Sequence, residues 1–185
     1  MLLGNSLNDM ERLQGLVENL LLAAKIEDHT FSIGQETCDL SEIVLQVVQK
    51  LKLTTGLQRK FEMNVLPGIE VIGDRMGLTS VITNLVENAI KYTSDGASIS
   101  ILLNDENNIA AFRIADNGPG IPEAEKKKIF QKFYRVGHEE TRKTKGTGLG
   151  LYIVKKILAL HNGTVSVKDN SPRGTIFEVA LPKTI

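Results

Sequence analysis

Four short segments, far apart in the chain, carry side chains and glycines suited to successive parts of a nucleotide. In Asn84-Leu85-Val86-Glu87-Asn88-Ala89-Ile90-Lys91-Tyr92, Asn84 and Asn88 are four residues apart and Lys91 lies three further on. On a helix these three project from one face. An amide oxygen is a hard ligand suited to Mg2+, which takes few protein ligands and fills its shell with water and phosphate oxygens. Lys91 would bring positive charge to the same phosphates, and Leu85, Ala89 and Ile90 would pack inward. An ordinary amphipathic helix with its polar residues outward shows the same pattern. The second segment is Asp116-Asn117-Gly118-Pro119-Gly120-Ile121, directly after a run that alternates like a strand. A carboxylate only accepts hydrogen bonds, so a buried Asp116 would suit the exocyclic amine of adenine and disfavour guanine, which presents an oxygen there. Its glycines would let backbone approach a flat ring, although the same residues also make a strand-end turn.

The third segment, Gly146-Thr147-Gly148-Leu149-Gly150-Leu151, opens a helical pattern. Alternating glycines expose amides at a helix N-terminus, where the dipole favours anions such as a di- or triphosphate. It is not a dinucleotide fingerprint, because the third glycine comes one residue early and no buried strand precedes it. Nor is it a P-loop, which needs Gly-Lys-Ser/Thr; a plain hinge is the other reading. The fourth segment runs from Glu123 to Lys145, where eight Lys or Arg face four Glu, a local excess of four positive charges in a chain whose net charge is zero. Within it, Ile129-Phe130-Gln131-Lys132-Phe133-Tyr134-Arg135 interleaves rings with charge, as expected of a lid that packs by its rings and reaches a terminal phosphate with Arg135.

The elements that would position these segments follow from periodicity. Asn5 to Ile26 holds no proline, and Met10, Leu13, Val17, Leu20 and Ala24 recur at spacings of three and four, the seam of a helix about 33 Å long. Leu16, Leu21 and Leu22 widen its apolar face, so the helix needs a partner. Phe31-Ser32-Ile33 is a candidate edge strand. Asp39 with Glu42 forms a capping box for a helix from Leu40 to about Leu57. Lys60 to Val65 and Glu70 to Ile72 alternate as strands around the Pro67-Gly68 turn, and Asp74 caps a helix to about Thr93. Strands Ser98 to Leu103 and Ile109 to Ala115 form a hairpin across Asn104 to Asn108. Asp116 to Lys145 is a long loop, followed by a helix from Leu149 to Leu160 and strands Thr164 to Lys168 and Thr175 to Leu181. Helices interleaved with hairpin-joined strands predict an α+β fold, a two-layer sandwich preceded by an amphipathic helix.

Composition narrows the function class. Twenty-two acidic and 22 basic side chains cancel over 185 residues, so no global field draws the chain to nucleic acid or an anionic membrane. The single Cys38 cannot form an internal disulfide, and no apolar run approaches the roughly 20 residues of a spanning helix.

Taken in order, the segments resemble the N box (Asn84 to Thr93), first glycine box (Asp116 to Ile121), phenylalanine box (Ile129 to Arg135) and second glycine box (Gly146 to Leu151) of the catalytic ATP-binding domain of bacterial sensor histidine kinases. The wider family includes gyrase, Hsp90 and MutL. Arg173-Gly174-Thr175-Ile176-Phe177 resembles the family's final glycine-containing strand, so the resemblance covers about residues 39–183. It implies a Bergerat-type sandwich that binds Mg-ATP and transfers the γ-phosphoryl group to a histidine. By the same resemblance Asn88 would hold Mg2+, with Asn84 as a second candidate; Lys91 would contact phosphate and Tyr92 would pack on adenine. Asp116 would take the adenine amine within a loop of Gly118, Gly120 and Ile121, and Thr175 would support that end. Arg135 would approach the γ-phosphate. Gly146, Thr147, Gly148, Leu149 and Gly150 would close over the phosphates.

The resemblance also divides the chain: residues 1–28 as the second helix of a dimerisation hairpin, 29–38 as a linker, and 39–185 as the ATP-binding domain with its lid at about 117–147. The implied partners are the phosphoacceptor helix of the same kinase, which would be a homodimer, and the receiver domain of a response regulator. The implied location is the cytoplasm, within a membrane-anchored sensor. The alternative is an ATP-binding regulatory or conformational-switch module without kinase activity. ATPase branches of the family carry a Glu four residues before the metal-binding Asn; this chain has Asn84 there, a poor base. None of His29, His138 and His161 is followed by the acceptor pattern of an acidic residue, Leu, Arg and Pro, so the acceptor is expected on a part of a longer protein.

Overall fold

The computed structural model describes residues 15, 17, 20–28, 34, 36–55, 60–94, 98–137 and 146–183. Residues 20–27 are helical and form the end of α1. There follow β1 (Glu36–Asp39), α2 (Leu40–Thr55), β2 (Lys60–Val65), β3 (Glu70–Gly73), α3 (Arg75–Tyr92), β4 (Ser98–Glu106) and β5 (Ile109–Asp116). After α4 (Glu123–Lys126) and a 3-10 turn at Lys128–Phe130 come α5 (Gly150–Leu160), β6 (Thr164–Asp169) and β7 (Thr175–Pro182). The arrangement is the α+β class read from the sequence. Its main sheet has the order β2-β4-β5-β7-β6, with β2 parallel to β4 and every other pair antiparallel.

Alternation decides which face of the sheet is covered. Ile99, Ile101 and Leu103 of β4 pair across to Asp116, Ile114 and Phe112 of β5. The last two continue to Phe177 and Val179 of β7. These residues are buried under the helices, with Phe112 and Ile114 each 1% exposed. Lys60, Glu62, Ser100, Arg113, Ser166 and Lys168 line the opposite, solvent face. Because Asp116 is in phase with Ile114 and Phe112, its side chain points between the two layers.

Local chemistry sets the element ends. Asp39 Oδ1 accepts from the Glu42 amide at 2.9 Å, capping α2. Only half of the expected capping box forms, since Glu42 turns its carboxylate to Gln46 and Arg75. Asp74 caps α3 by accepting from the Gly77 amide at 2.6 Å. α5 ends in a Schellman-type turn: Asn162 takes φ 54° and the Gly163 amide donates to Leu158 O at 2.7 Å.

Four features differ from what the sequence predicts. Helix α2 is described as far as Thr55, and its expected end at Leu57 lies outside the described residues. The β4–β5 turn is only Asn107-Asn108, both at positive φ, because a two-residue turn of that twist lets both strands extend. The long loop after β5 contains α4 and the 3-10 turn. A small second sheet, β1 antiparallel to β3, was not foreseen; the strand expected at Phe31 to Ile33 lies outside the described residues. Within α1, the expected seam residues Val17 and Leu20 are about half exposed, whereas Ala23 and Ile26 are buried in the core; Met10 and Leu13 lie outside the described residues. No helix among the described residues is long and apolar enough to cross a membrane.

Candidate functional site

The end of β5 delivers Asp116 to the space between the layers, where it is 5% exposed. Its Oδ1 accepts from the amides of Gly118 at 2.7 Å and Thr175 at 3.3 Å. Among the described residues Oδ2 accepts nothing. Burial pushes the carboxyl above the usual carboxylate range, while the two amides pull it back. Gly118 must lack a side chain: a Cβ there would lie 2.7 Å from both Asp116 Oδ1 and Tyr92 O. That close approach sets the C-terminal end of α3 beside the loop, with the Tyr92 ring partly exposed and Lys91 Nζ 4.8 Å from its centroid. Gly120 takes φ 80°, Ile121 is half-buried against the core, and Thr175 is buried.

One helical face leads away from this point. Lys91 Nζ lies close to Gly146, where a Cβ would come within 2.6 Å of it. Asn88 is half-buried, and its amide makes no hydrogen bond among the described residues. Asn84 donates from Nδ2 to Ser80 O at 2.9 Å and Ser80 Oγ at 3.3 Å. Its Oδ1 therefore faces α5, where a Cβ on Gly150 would sit 2.4 Å from it. The second glycine segment thus contacts α3 at two places. It also contacts the aromatic segment, since Gly148, at φ 74°, accepts the Phe133 amide at 3.1 Å. Thr147 lies between these contacts and Leu149 is buried.

The aromatic segment only partly packs by its rings. Ile129 is buried and Phe130 meets Phe177 edge-on at 6.4 Å. Tyr134 bonds Glu125. Phe133 instead is 59% exposed and sits at φ 63°, so the expected packing of the segment by its rings does not extend to Phe133. A bulky residue at positive φ is strained, and here its amide is held by Gly148. Lys132 turns away to Glu27 of α1, meeting both carboxylate oxygens at 2.8 Å, and Tyr152 donates to the same carboxylate at 2.9 Å. Arg135 follows, half-buried, at the end of the segment.

The structure therefore gathers Asn84, Asn88, Lys91, Tyr92, Asp116 and Thr175 with both glycine segments along one side of α3. Several residues that shape this site carried no chemical signal in the sequence. Ser80 orients Asn84. Asn170 donates to Asp116 O at 2.9 Å, and Arg173 Nε lies 3.3 Å from the carbonyl oxygens of Asn117 and Gly118. His161 accepts the Asp74 amide at Nε2, 2.9 Å away, and contacts Ile157 O through Nδ1 at 2.7 Å. Of that stretch the sequence marked only Arg173 to Phe177, by their resemblance to the family's final glycine-containing strand.

Residues 73–185 match the family described as "Histidine kinase-, DNA gyrase B-, and HSP90-like ATPase". The chain is 32% identical over 173 residues to the sensor histidine kinase RppB of Synechocystis, covering 92% of this chain and 38% of that protein. Among solved structures, the mycobacterial sensor histidine kinase MprB superimposes with a TM-score of 0.72 at 31% identity, covering 80% of this chain and 97% of that one. The histidine kinase ThkA in complex with the response regulator protein TrrA gives 0.70 at 26% identity, covering 96% and 49%. The chain spans about a third of the length of the curated relatives it matches.

Proposed function

Because the chain belongs to the family of histidine kinase-, DNA gyrase B- and HSP90-like ATPases, we propose that it binds Mg-ATP between α3, the end of β5 and the start of α5, as the catalytic domain of a sensor histidine kinase. The observation that carries the reading is Asp116: a buried carboxylate with one oxygen tied to two amides and the other open among the described residues, in a loop that meets the Tyr92 backbone at Gly118. An open carboxylate oxygen there suits an adenine amine and repels a guanine carbonyl. From that end, Lys91 and the glycine segment lie along α3 where phosphates would extend. The half-buried Asn88 amide, without a hydrogen bond among the described residues, fits the single oxygen ligand Mg2+ takes from a protein beside water and phosphate. Asn84 is the second candidate. Bound Mg2+ would neutralise developing phosphate charge; the chain's own contribution is positioning and charge through Lys91 and Arg135.

The reaction would be attack of an imidazole nitrogen on the γ-phosphorus with loss of ADP. His161 is not the acceptor in this structure, since it is buried and both ring nitrogens are engaged. Relatives named as histidine kinases support a histidine as the phosphoryl acceptor, and the ThkA complex with a response regulator protein supports onward transfer to such a partner. Against a water-activating ATPase, residue 84 is an asparagine whose amide nitrogen is committed to Ser80, and an amide is no general base. Calorimetry with ATP, ADP and GTP, with and without Mg2+, tests the site: adenine-selective, Mg-sensitive binding is expected, and no binding by folded chain overturns it. With γ-labelled ATP, acid-labile and base-stable label is expected on an acceptor hairpin added in trans; turnover to free phosphate without that acceptor would favour the ATPase reading.

A further inference from the structure

We propose that Asn170, in the turn between β6 and β7, is the positioning residue that holds the Asp116 loop in register and so sets the discrimination between adenine and guanine nucleotides. The inference rests on the reading of Asp116 as the base-binding carboxylate.

Asp116 and Gly118 form a local unit, because the Gly118 amide donates to the Asp116 side chain two residues back at 2.7 Å. That bond fixes the carboxylate relative to its own loop, but not the loop relative to the sheet. On the β4 side the sheet holds Asp116 opposite Ile99; on the β7 side the pairing ends at Ala115, and anchorage there comes from side chains. The β5–β7 register pairs Ala115 with Ile176 and would next bring Asp116 to Thr175. At that position the Thr175 amide goes to the Asp116 carboxylate, and the Asp116 carbonyl is taken by Asn170 Nδ2 at 2.9 Å. The same Asn170 nitrogen lies 3.2 Å from Asn117 Oδ1, while Asn117 Nδ2 donates to Ser98 Oγ of β4 at 3.1 Å. A chain of amides thus runs from β4 through Asn117 and Asn170 to the Asp116 carbonyl.

The turn and loop touch so closely that no other group fits between them. A Cβ on Gly174 would fall 1.9 Å from Asp116 O, and one on Gly120 3.3 Å from Gly174 O. Arg173 adds two longer contacts from the same turn. Asn170 is the member of the turn whose side chain donates to Asp116 itself, and only a donor can face that carbonyl. A one-ångström drift of the loop would swing Asp116 Oδ2 off the base while leaving the phosphate contacts on α3 and α5 in place.

The test uses the full chain with ATP, ADP and GTP in calorimetry, with Asn170→Ala, Asn170→Asp and Asp116→Asn. Asn170→Asp keeps the side-chain volume but sets a carboxylate against a carbonyl and against Asn117 Oδ1, so it separates hydrogen bonding from packing. We expect Asn170→Ala to weaken ATP and ADP equally, by about fivefold, the worth of one hydrogen bond. Asn170→Asp should weaken them more. Both should lower the ATP to GTP affinity ratio, while the ratio of ATP affinities with and without Mg2+ stays near the parent's. A purely structural role would not shift base preference while sparing Mg2+ dependence. If the Asn170 variants keep the parent's ATP to GTP ratio while Asp116→Asn loses it, the inference about Asn170 fails and the base site stands. If the parent itself binds ATP and GTP equally, the reading of Asp116 fails first.

Discussion

Replacing Gly150 by alanine tests the contact that joins the two helices of the site. The new methyl would sit 2.4 Å from Asn84 Oδ1 and 3.3 Å from its Cγ. Cβ atoms do not approach other heavy atoms within 3.0 Å, so one group must move by at least about 0.6 Å. Asn84 is not free to swing aside, because Nδ2 is bonded to both oxygens of Ser80. Either those bonds break or the start of α5 backs away from α3. Overpacking of this size costs about 1–3 kcal/mol. Alanine's helix preference over glycine returns at most about 1 kcal/mol, and less at a helix's first residue. A net loss of about 1–2 kcal/mol would lower the melting temperature by roughly 2–8 °C for a chain this long. Thermal and urea melts of Gly150→Ala, Asn84→Ala and the double variant measure it. The double variant should be more stable than the sum of the single effects by about 1 kcal/mol, because shortening Asn84 removes the collision. Additive effects, or a Gly150→Ala melt at or above the parent's, would refute the close approach of α5 to Asn84.

Three further outcomes follow from named contacts. Asn88→Ala should weaken ATP binding in Mg2+ by at least about tenfold and leave affinity without Mg2+ unchanged; equal loss in both conditions in titration calorimetry would remove Asn88 from the metal. Asp116 has its carboxyl raised by burial, so its charged form opposes folding, and that penalty is absent below the ordinary carboxylate range and grows as pH rises through the folded value. Asp116→Asn, whose Oδ1 can still accept from Gly118 and Thr175, should therefore melt higher than the parent at pH 8, with the gain vanishing by pH 4; a gain independent of pH would contradict burial as its cause. Glu27 has its carboxyl lowered chiefly by Lys132, then by Tyr152, so its contribution is present at neutral pH and fades as pH falls through the lowered value. Glu27→Ala should speed amide exchange in residues 20–28 at pH 7 while core amides hold their rates, and unchanged exchange would show that the bond does not fix α1.

What the sequence revealed and what it hid divide along the range of the interactions. Alternation in β4 and β5 placed Asp116 at a strand end, and the spacing of Asn84, Asn88 and Lys91 placed all three on one helical face, because both patterns depend on neighbours a few residues away. Asp39 and Asp74 announced the starts of α2 and α3 for the same reason. Of the small β1–β3 sheet, β3 was read as a strand from Glu70 to Ile72, but β1 and its pairing were not legible. Four residues are too few to show a period, and its inward Cys38 finds a partner 35 residues away in the Gly73 carbonyl. Phe133 could not have been read as exposed, since its positive φ goes with a hydrogen bond to Gly148 across a long insertion. Asn170 carried no signal, because its acceptor lies 54 residues earlier.

The same long-range contacts explain how α3 and α5 can act as one platform. At one end, His161 after α5 accepts the amide of Asp74, the cap of α3, and Gly73 must be glycine because a Cβ would lie 2.3 Å from the His161 ring. At the other end, Gly150 opens α5 against Asn84 in the middle of α3. From Asp74 to Asn84 is ten residues, and from Gly150 to His161 is eleven, or about 15 and 16 Å of helix. Two antiparallel helices clamped at matched spacings resist both sliding and splaying, so α5 cannot shift along α3 without breaking one clamp. Just before α5, Gly148, at φ 74°, accepts the Phe133 amide and leaves no room for a Cβ, which would lie 2.6 Å from the Phe133 carbonyl carbon, so the glycine segment is also held against the aromatic segment. At the opposite end the base-side loop is tied to β4, β6 and β7. Under the proposed function, base selectivity is then set by a rigid frame before nucleotide arrives, and the phosphates meet a glycine segment seated between α3 and the aromatic segment.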